Sequence, residues 1–173
     1  MLDAPGNILT SVCIYSLFLV NIAVAGHLGD EKILAGVSIS TAVINMTLFA
    51  VSFGINYGTE LATAKAFKRQ DLDLCVDYLN QGRFVNLIFA IPVAFTLLYC
   101  SEGIFRALGT EEAVAGYGHT YTTSMLLGCL ISQMNVVSLR WLVQLGDVWG
   151  AAILSVLALT FHILACSVFT IDQ

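Results

Sequence analysis

The placement of charge constrains this chain more than any other feature of its sequence. Its 7 Lys and Arg and 12 Asp and Glu residues leave five stretches with no charge at all: residues 4–29, 33–59, 84–101, 113–139 and 148–171. The shortest holds 18 residues. A helix rises about 1.5 Å per residue and the hydrocarbon core of a bilayer is about 30 Å thick, so each stretch spans or nearly spans it. One such stretch suits a buried helix of a soluble protein; five in 173 residues are cheap only in lipid. Hydrophobic residues make up 58% of the chain and charged ones 11%, against about a quarter charged in soluble domains. Such a chain cannot cover its surface with polar groups. The expected fold class is an all-α integral membrane protein with about five transmembrane helices.

The charges also give an orientation. With the N-terminus in the cytoplasm, Lys65, Lys68, Arg69, Arg83 and Arg140 lie inside and Lys32 and Arg106 outside, as the positive-inside rule asks. A net charge of −5 and the lack of a basic stripe argue against nucleic acid as a partner. Four of the five cysteines, Cys13, Cys100, Cys129 and Cys166, fall within or at the ends of apolar stretches, and no C-x-x-C occurs. Neither a disulfide framework nor a zinc or redox site is expected. The apolar start has no basic n-region and is long, so it reads as a true span and not a signal peptide.

The expected spans are residues 7–25, 33–57, 84–100, 114–139 and 148–170. Pro5 suits the start of the first helix, and Gly26-His27-Leu28-Gly29-Asp30 a tight turn after it. In the second span Gly54 and Gly58 stand four apart, a spacing that allows close approach to a neighbouring helix. Residues 60–83 hold eight of the charges, with Leu61, Ala64, Phe67, Leu72, Val76 and Leu79 near helical spacing. They predict an amphipathic helix on the cytoplasmic membrane face. Pro92 predicts a kink in the third span, and Leu108-Gly109 a helix end within an outer loop over residues 101–112. The fourth span is the least apolar: His119, Thr120, Thr122, Thr123, Ser124, Gln133 and Asn135 are poor lipid neighbours. Trp141 and Trp149 read as interfacial anchors. The chain then ends at Asp172-Gln173 with no expected soluble domain.

Several segments in order resemble the multidrug and toxic compound extrusion (MATE) family, in its eukaryotic form. Ala25-Gly26-His27-Leu28-Gly29 followed by Leu34-Ala35-Gly36-Val37-Ser38 resembles that family's first turn and second helix. Asn45-Met46-Thr47 is similar to its Asn-x-Thr. The run from Gly54 to Phe67, with Glu60 and Ala66-Phe67, resembles its G-x-x-x-x-x-E-T-L-x-x-Q-A-Y-G, with Lys65 at the Gln and Lys68 at the final Gly. Tyr78-Leu79, Pro92, Leu108-Gly109 and Arg140-Trp141-Leu142 follow in order. The resemblance implies twelve helices in two six-helix lobes, alternating access, and export of organic cations and drug-like solutes coupled to protons or sodium. It implies that this chain is most of one N-terminal lobe, with a second lobe or second chain needed for activity. The membrane is then the plasma membrane or a vacuolar or other endomembrane. A truncated, non-transporting membrane scaffold or partner subunit is the alternative.

Transport needs groups that coordinate or titrate inside a cavity. Asn21 lies in Val20-Asn21-Ile22-Ala23-Val24-Ala25-Gly26, which resembles the bacterial V-D-T-V-M-A-G. An amide stands where those members carry Asp, and it coordinates but exchanges no proton near neutral pH. His162 is the imidazole deepest in a span, and imidazole titrates in the range that proton coupling needs. His162-Ile163-Leu164-Ala165-Cys166 resembles the family's N-I-x-x-D, with Cys166 at the carboxylate. Asn45, Glu60 and Gln133 complete the expected substrate or ion pathway, Glu60 with Lys65 or Arg83 as a possible ionic partner. Asn21, Asn45, Gln133 and His162 are expected to converge on one water-accessible cavity. No metal site, no cofactor beyond the coupling ion and no enzymatic activity are expected. No span carries two carboxylates, and neither a Ser-His-Asp set nor a metal-ligand cluster can be placed.

Overall fold

A computed structural model describes residues 4–27 and 29–171, with the side chains of residues 169–171 left aside. Among these residues there are five long helices and no strand. We label them α1 (Ala4–His27), α2 (Glu31–Lys68), α3 (Leu72–Ala107), α4 (Glu112–Gln144) and α5 (Val148–Ile171). All five are long and apolar enough to cross a membrane. They run alternately up and down. We call the end carrying Lys65, Lys68, Arg69, Arg83 and Arg140 the inner end. Leu28, part of the expected first turn, lies outside the described residues; Gly29 beside it has φ +73°.

The other connections share one chemistry. The N–H groups of Asp71, Thr110 and Asp147 reach back five residues, to the carbonyls of Ala66, Phe105 and Leu142. The residue before each of them, Gln70, Gly109 or Gly146, has positive φ. This is the left-handed helix stop, for which glycine has no steric cost. Asp71 and Asp147 then start the next helix, accepting from the backbone N–H of Leu74 and Gly150 at 3.0 and 2.9 Å. The helix end expected at Leu108-Gly109 is there, but the outer loop is only the turn before Glu112. The separate amphipathic helix expected over residues 60–83 does not form. Residues 60–68 continue α2, and from Leu72 the chain is already α3. Of the six apolar residues expected to form that face, Leu79 is buried in the bundle, whereas Leu61, Phe67, Leu72 and Val76 are exposed along the inner ends of the two long helices.

Helix α2 contains one wide π turn, Asn45–Phe49, and the sequence explains it. The buried face reads Ile44, Leu48, Ser52, Asn56, a strict spacing of four. Four residues overshoot a 3.6-residue turn by about 40°, so three such steps drift by about 120°. A π turn absorbs one extra residue and brings the stripe back to the core.

Helices α2, α3 and α4 pack as a triangle. Its apolar centre joins Ile44, Leu48 and Phe49 of α2 with Ala90, Ala94 and Leu97 of α3 and Leu126 and Cys129 of α4. Phe18 of α1 meets Phe49 edge-on, ring centres 5.1 Å apart. Helices α2 and α4 approach closely at Gly36. A Cβ on Gly36 would sit 2.9 Å from the Gly118 nitrogen, and Ser40 Oγ donates to the Gly118 carbonyl at 2.7 Å. Gly54 and Gly58, expected to make such an approach, have nothing near them. Helix α1 leans mainly on α5 and touches α2 less. The polarity of the whole is inverted relative to a soluble protein. Phe161 is 75% exposed and Leu127 70%, while Ser40, Thr63, Asn86, Ser101 and Thr122 are fully buried. Lipid is as apolar as Leu, so burial is worth most to polar groups that bond between helices. The chain is a multi-pass membrane protein.

Candidate functional site

The outer third of the bundle brings α1 and α5 together through side chains. His162 Nε2 lies 2.9 Å from Asn21 Oδ1, across 141 residues of sequence. An amide oxygen only accepts, so this contact fixes the hydrogen of the neutral imidazole on Nε2. Cys166, one turn further along α5, places its sulfur 3.7 Å from the same nitrogen. Asn21 also lines a pocket of about 360 Å³ between α1, α2 and α4, with Val24, Ala25, Val37, Tyr121 and Ser124 among its walls. Its hydroxyls and aromatic rings face a site with no carboxylate in the lining. Such a site holds a solute by amide, hydroxyl and ring contacts.

The other expected pathway residues lie elsewhere. Asn45 lines a separate recess of about 470 Å³ between α1 and α2, walled by Tyr15, Phe18, Ile22, Thr41 and Phe53. Its side-chain N–H donates to the Thr41 carbonyl at 2.9 Å, at the start of the π turn. Gln133 is 1% exposed on the core face of α4 and lines neither pocket. Glu60 is at the inner end, its carboxylate 3.6 Å from Arg140. Its partner is thus neither Lys65 nor Arg83. Arg83 instead donates to Ser138 Oγ at 2.7 Å. Trp141 donates from Nε1 to the Cys75 carbonyl at 2.8 Å, which ties α4 to α3 at the inner rim. At the outer end Lys32 meets Glu111 at 2.6 Å, and Arg106 bridges Glu102 and Glu112. Among the described residues no group of three metal-ligating side chains forms.

Of the four residues expected to converge, Asn21 and His162 meet while Asn45 and Gln133 lie apart, and sequence reasoning missed Tyr117 and Tyr121 in the pocket wall. A tyrosine in an apolar helix carries a hydroxyl that wants a partner, and that was the available signal.

The family model described as MatE matches residues 7–168. The chain belongs to the MatE family. Among relatives, Protein DETOXIFICATION 5 of Arabidopsis thaliana is 22% identical over 152 residues, which are 88% of this chain and 31% of that protein. Multidrug and toxin extrusion protein 1 of Danio rerio is 25% identical over 145 residues, 84% of this chain and 24% of that protein. Protein DETOXIFICATION 41 of Arabidopsis thaliana is 28% identical over 125 residues, 69% of this chain and 23% of that protein. The chain thus spans about a quarter to a third of the length of these MatE relatives. No solved structure matches it.

Proposed function

We propose that this chain forms the first five helices of the N-terminal lobe of an exporter of organic cations and drug-like solutes, driven by a proton or sodium gradient. The observation that carries the reading is the Asn21–His162 contact beside the 360 Å³ pocket. Both residues sit deep in spans, where polar groups are expensive and usually functional. Asn21 is the solute- and ion-facing amide, and His162 is the group that takes up a proton. On protonation the ring keeps its Nε2 hydrogen on Asn21 and gains a positive charge beside the pocket. That charge repels a bound organic cation, which is the antagonism an antiporter needs. Asn45 and its aromatic recess form a second stretch of the pathway. Glu60 and Gln133 take part as structural supports of the inner half. Activity requires an opposing lobe or chain, because a site that alternates between two faces needs one half to rock against another.

The test is binding of a fluorescent organic cation to the purified chain in detergent, between about pH 8 and pH 5 across the imidazole range. Saturable binding that weakens on acidification, and loses that pH dependence in His162→Gln, is the expected result. Binding with the same pH dependence in the variant would remove His162 from the mechanism, and no binding at all would remove the pocket.

A further inference from the structure

Just inward of the apolar centre, each helix of the α2–α3–α4 triangle places one amide on its core face: Asn56, Asn86 and Gln133. All three are at least 97% buried, with exposures of 3%, 0% and 1%. On α3 Asn86 follows Gly82 and precedes Ala90 in the buried stripe. On α4 Gln133 stands between Cys129 and Val136, and on α2 Asn56 follows Ser52.

Hydrogen bonds between the helices set their register. Asn86 Nδ2 donates to Asn56 Oδ1 at 3.0 Å and to the Gly82 carbonyl at 2.9 Å. Arg83 Nη2 donates to Ser138 Oγ, so the two residues stand near one level of the antiparallel pair α3 and α4, within an arginine's reach. From that level Asn86 is three residues outward on α3, about 4.5 Å, and Gln133 is five residues outward on α4, about 7.5 Å. About 3 Å of axial offset separates them, within the reach of a glutamine side chain.

The layer is half satisfied. Asn86 has used both its hydrogens and Asn56 its oxygen. Left without protein partners are Asn56 Nδ2, Asn86 Oδ1, Gln133 Nε2 and Gln133 Oε1. That is two NH₂ groups and two oxygens, carried by three neighbouring helices. Orphaned amides in a low-dielectric interior are costly, and buried groups of this kind are normally satisfied by protein or ordered water.

We propose that this amide layer is a specific internal water site, in which a water held by Asn56, Asn86 and Gln133 ties α2, α3 and α4 together. A water accepts two hydrogens and donates two, so one water can take a hydrogen from each unused NH₂ group and donate to both unused oxygens. A cation fits the set poorly. It would meet only two unused oxygens, it would face two N–H donors, and the Arg83 guanidinium lies one turn inward. The route to solvent runs by the cleft that Asn56 lines with Thr59, Glu60, Val137, Arg140 and Trp141 at the inner end. That cleft is too narrow to pass water as it stands, so exchange with bulk needs the inner helix ends to part and the bound water is long-lived.

The direct test needs no variant. In isotope-labelled protein in micelles, water-selective cross-relaxation is read at the side-chain NH₂ groups of Asn56 and Gln133. Cross-peaks with the sign of a long-lived bound water are expected; their absence overturns the proposal. Sodium titration is run in parallel. Saturable shifts of these amides with loss of the water cross-peaks would overturn it in favour of a cation site. Gln133→Leu supplies an independent readout. Removing two of the water's partners lowers the apparent Tm by about 2–4 °C. A rise in Tm would mean that the wild-type layer is dry and that leucine relieves an unpaired amide, and that too overturns the proposal.

Discussion

Replacing Gly36 by alanine tests whether the α2–α4 contact sets the shape of the bundle. A Cβ there would lie 2.9 Å from the Gly118 nitrogen, 2.9 Å from Tyr117 Cβ and 3.0 Å from the Val114 carbonyl oxygen. These neighbours are backbone or next to it, so no flexible side chain can swing aside. Ordinary contact begins near 3.4 Å, so the helices must separate by about 0.5 Å. A gap of that size forfeits about a quarter of the dispersion well at each contact along the interface. It also stretches the 2.7 Å hydrogen bond from Ser40 to the Gly118 carbonyl. Overpacking of this kind costs about 1–3 kcal/mol. At about 2–4 °C per kcal/mol for a chain of this size, the apparent Tm falls by several degrees. Thermal unfolding in detergent, followed by tryptophan fluorescence, reads the shift. Gly58→Ala is the control, because a Cβ there meets nothing; it is neutral, or stabilising by up to about 1 kcal/mol from helix propensity. Equal Tm values for wild type and Gly36→Ala would refute the close-packing argument. So would a larger loss at Gly58 than at Gly36.

Three further outcomes are expected. A cysteine at position 70, in a cysteine-free background, is labelled by impermeant reagents from the cytoplasmic side only; labelling from outside would reverse the orientation. Glu60→Gln leaves Arg140 without its carboxylate and costs about 1 kcal/mol, modest because Arg140 is partly solvated. The Glu60→Gln, Arg140→Gln pair recovers most of that in thermal unfolding, and a strictly additive loss would show that the two residues do not interact. Liposomes carrying only this chain, under a pH gradient, accumulate no fluorescent organic cation. Saturable, gradient-dependent uptake lost on His162→Ala would instead make two copies of the chain a working transporter.

The spans were legible because charge is excluded from lipid whatever the tertiary structure, so the gaps alone located all five helices. Helix ends were less legible. Residues 60–83 carry charge because α2 and α3 project beyond the hydrocarbon, and a projecting helix has the same amphipathic spacing as one lying flat. Glycine spacing named Gly54 and Gly58, yet spacing alone does not say which face meets a neighbour. Gly36 and Gly118 meet because Ser40 and the rest of the buried stripe turn that face inward. The π turn was hidden in the four-residue rhythm of Ile44, Leu48, Ser52 and Asn56. Asn21 and His162 were readable one at a time, as polar groups expensive in lipid, but their contact depends on how α1 and α5 pack. Asn56 and Asn86 gave the same signal as Asn21 and were passed over. Their importance comes from sharing a layer with Gln133, which only the register of three helices reveals.

The reliance of α1 on α5 has a consequence for biosynthesis. Among the five described helices α1 is made first, yet the helix it packs against most is the fifth. Asn21 and His162 are 141 residues apart. At about 5–20 residues per second, α1 waits on the order of 7–28 s before its partner is synthesised. Through that interval α1 has only its lesser contact with α2 and the pocket wall of α4 to hold it, while α2, α3 and α4 already have one another. The first helix is therefore the piece of this chain most dependent on the cell's insertion machinery, and the one most exposed to quality control when translation of α5 is delayed.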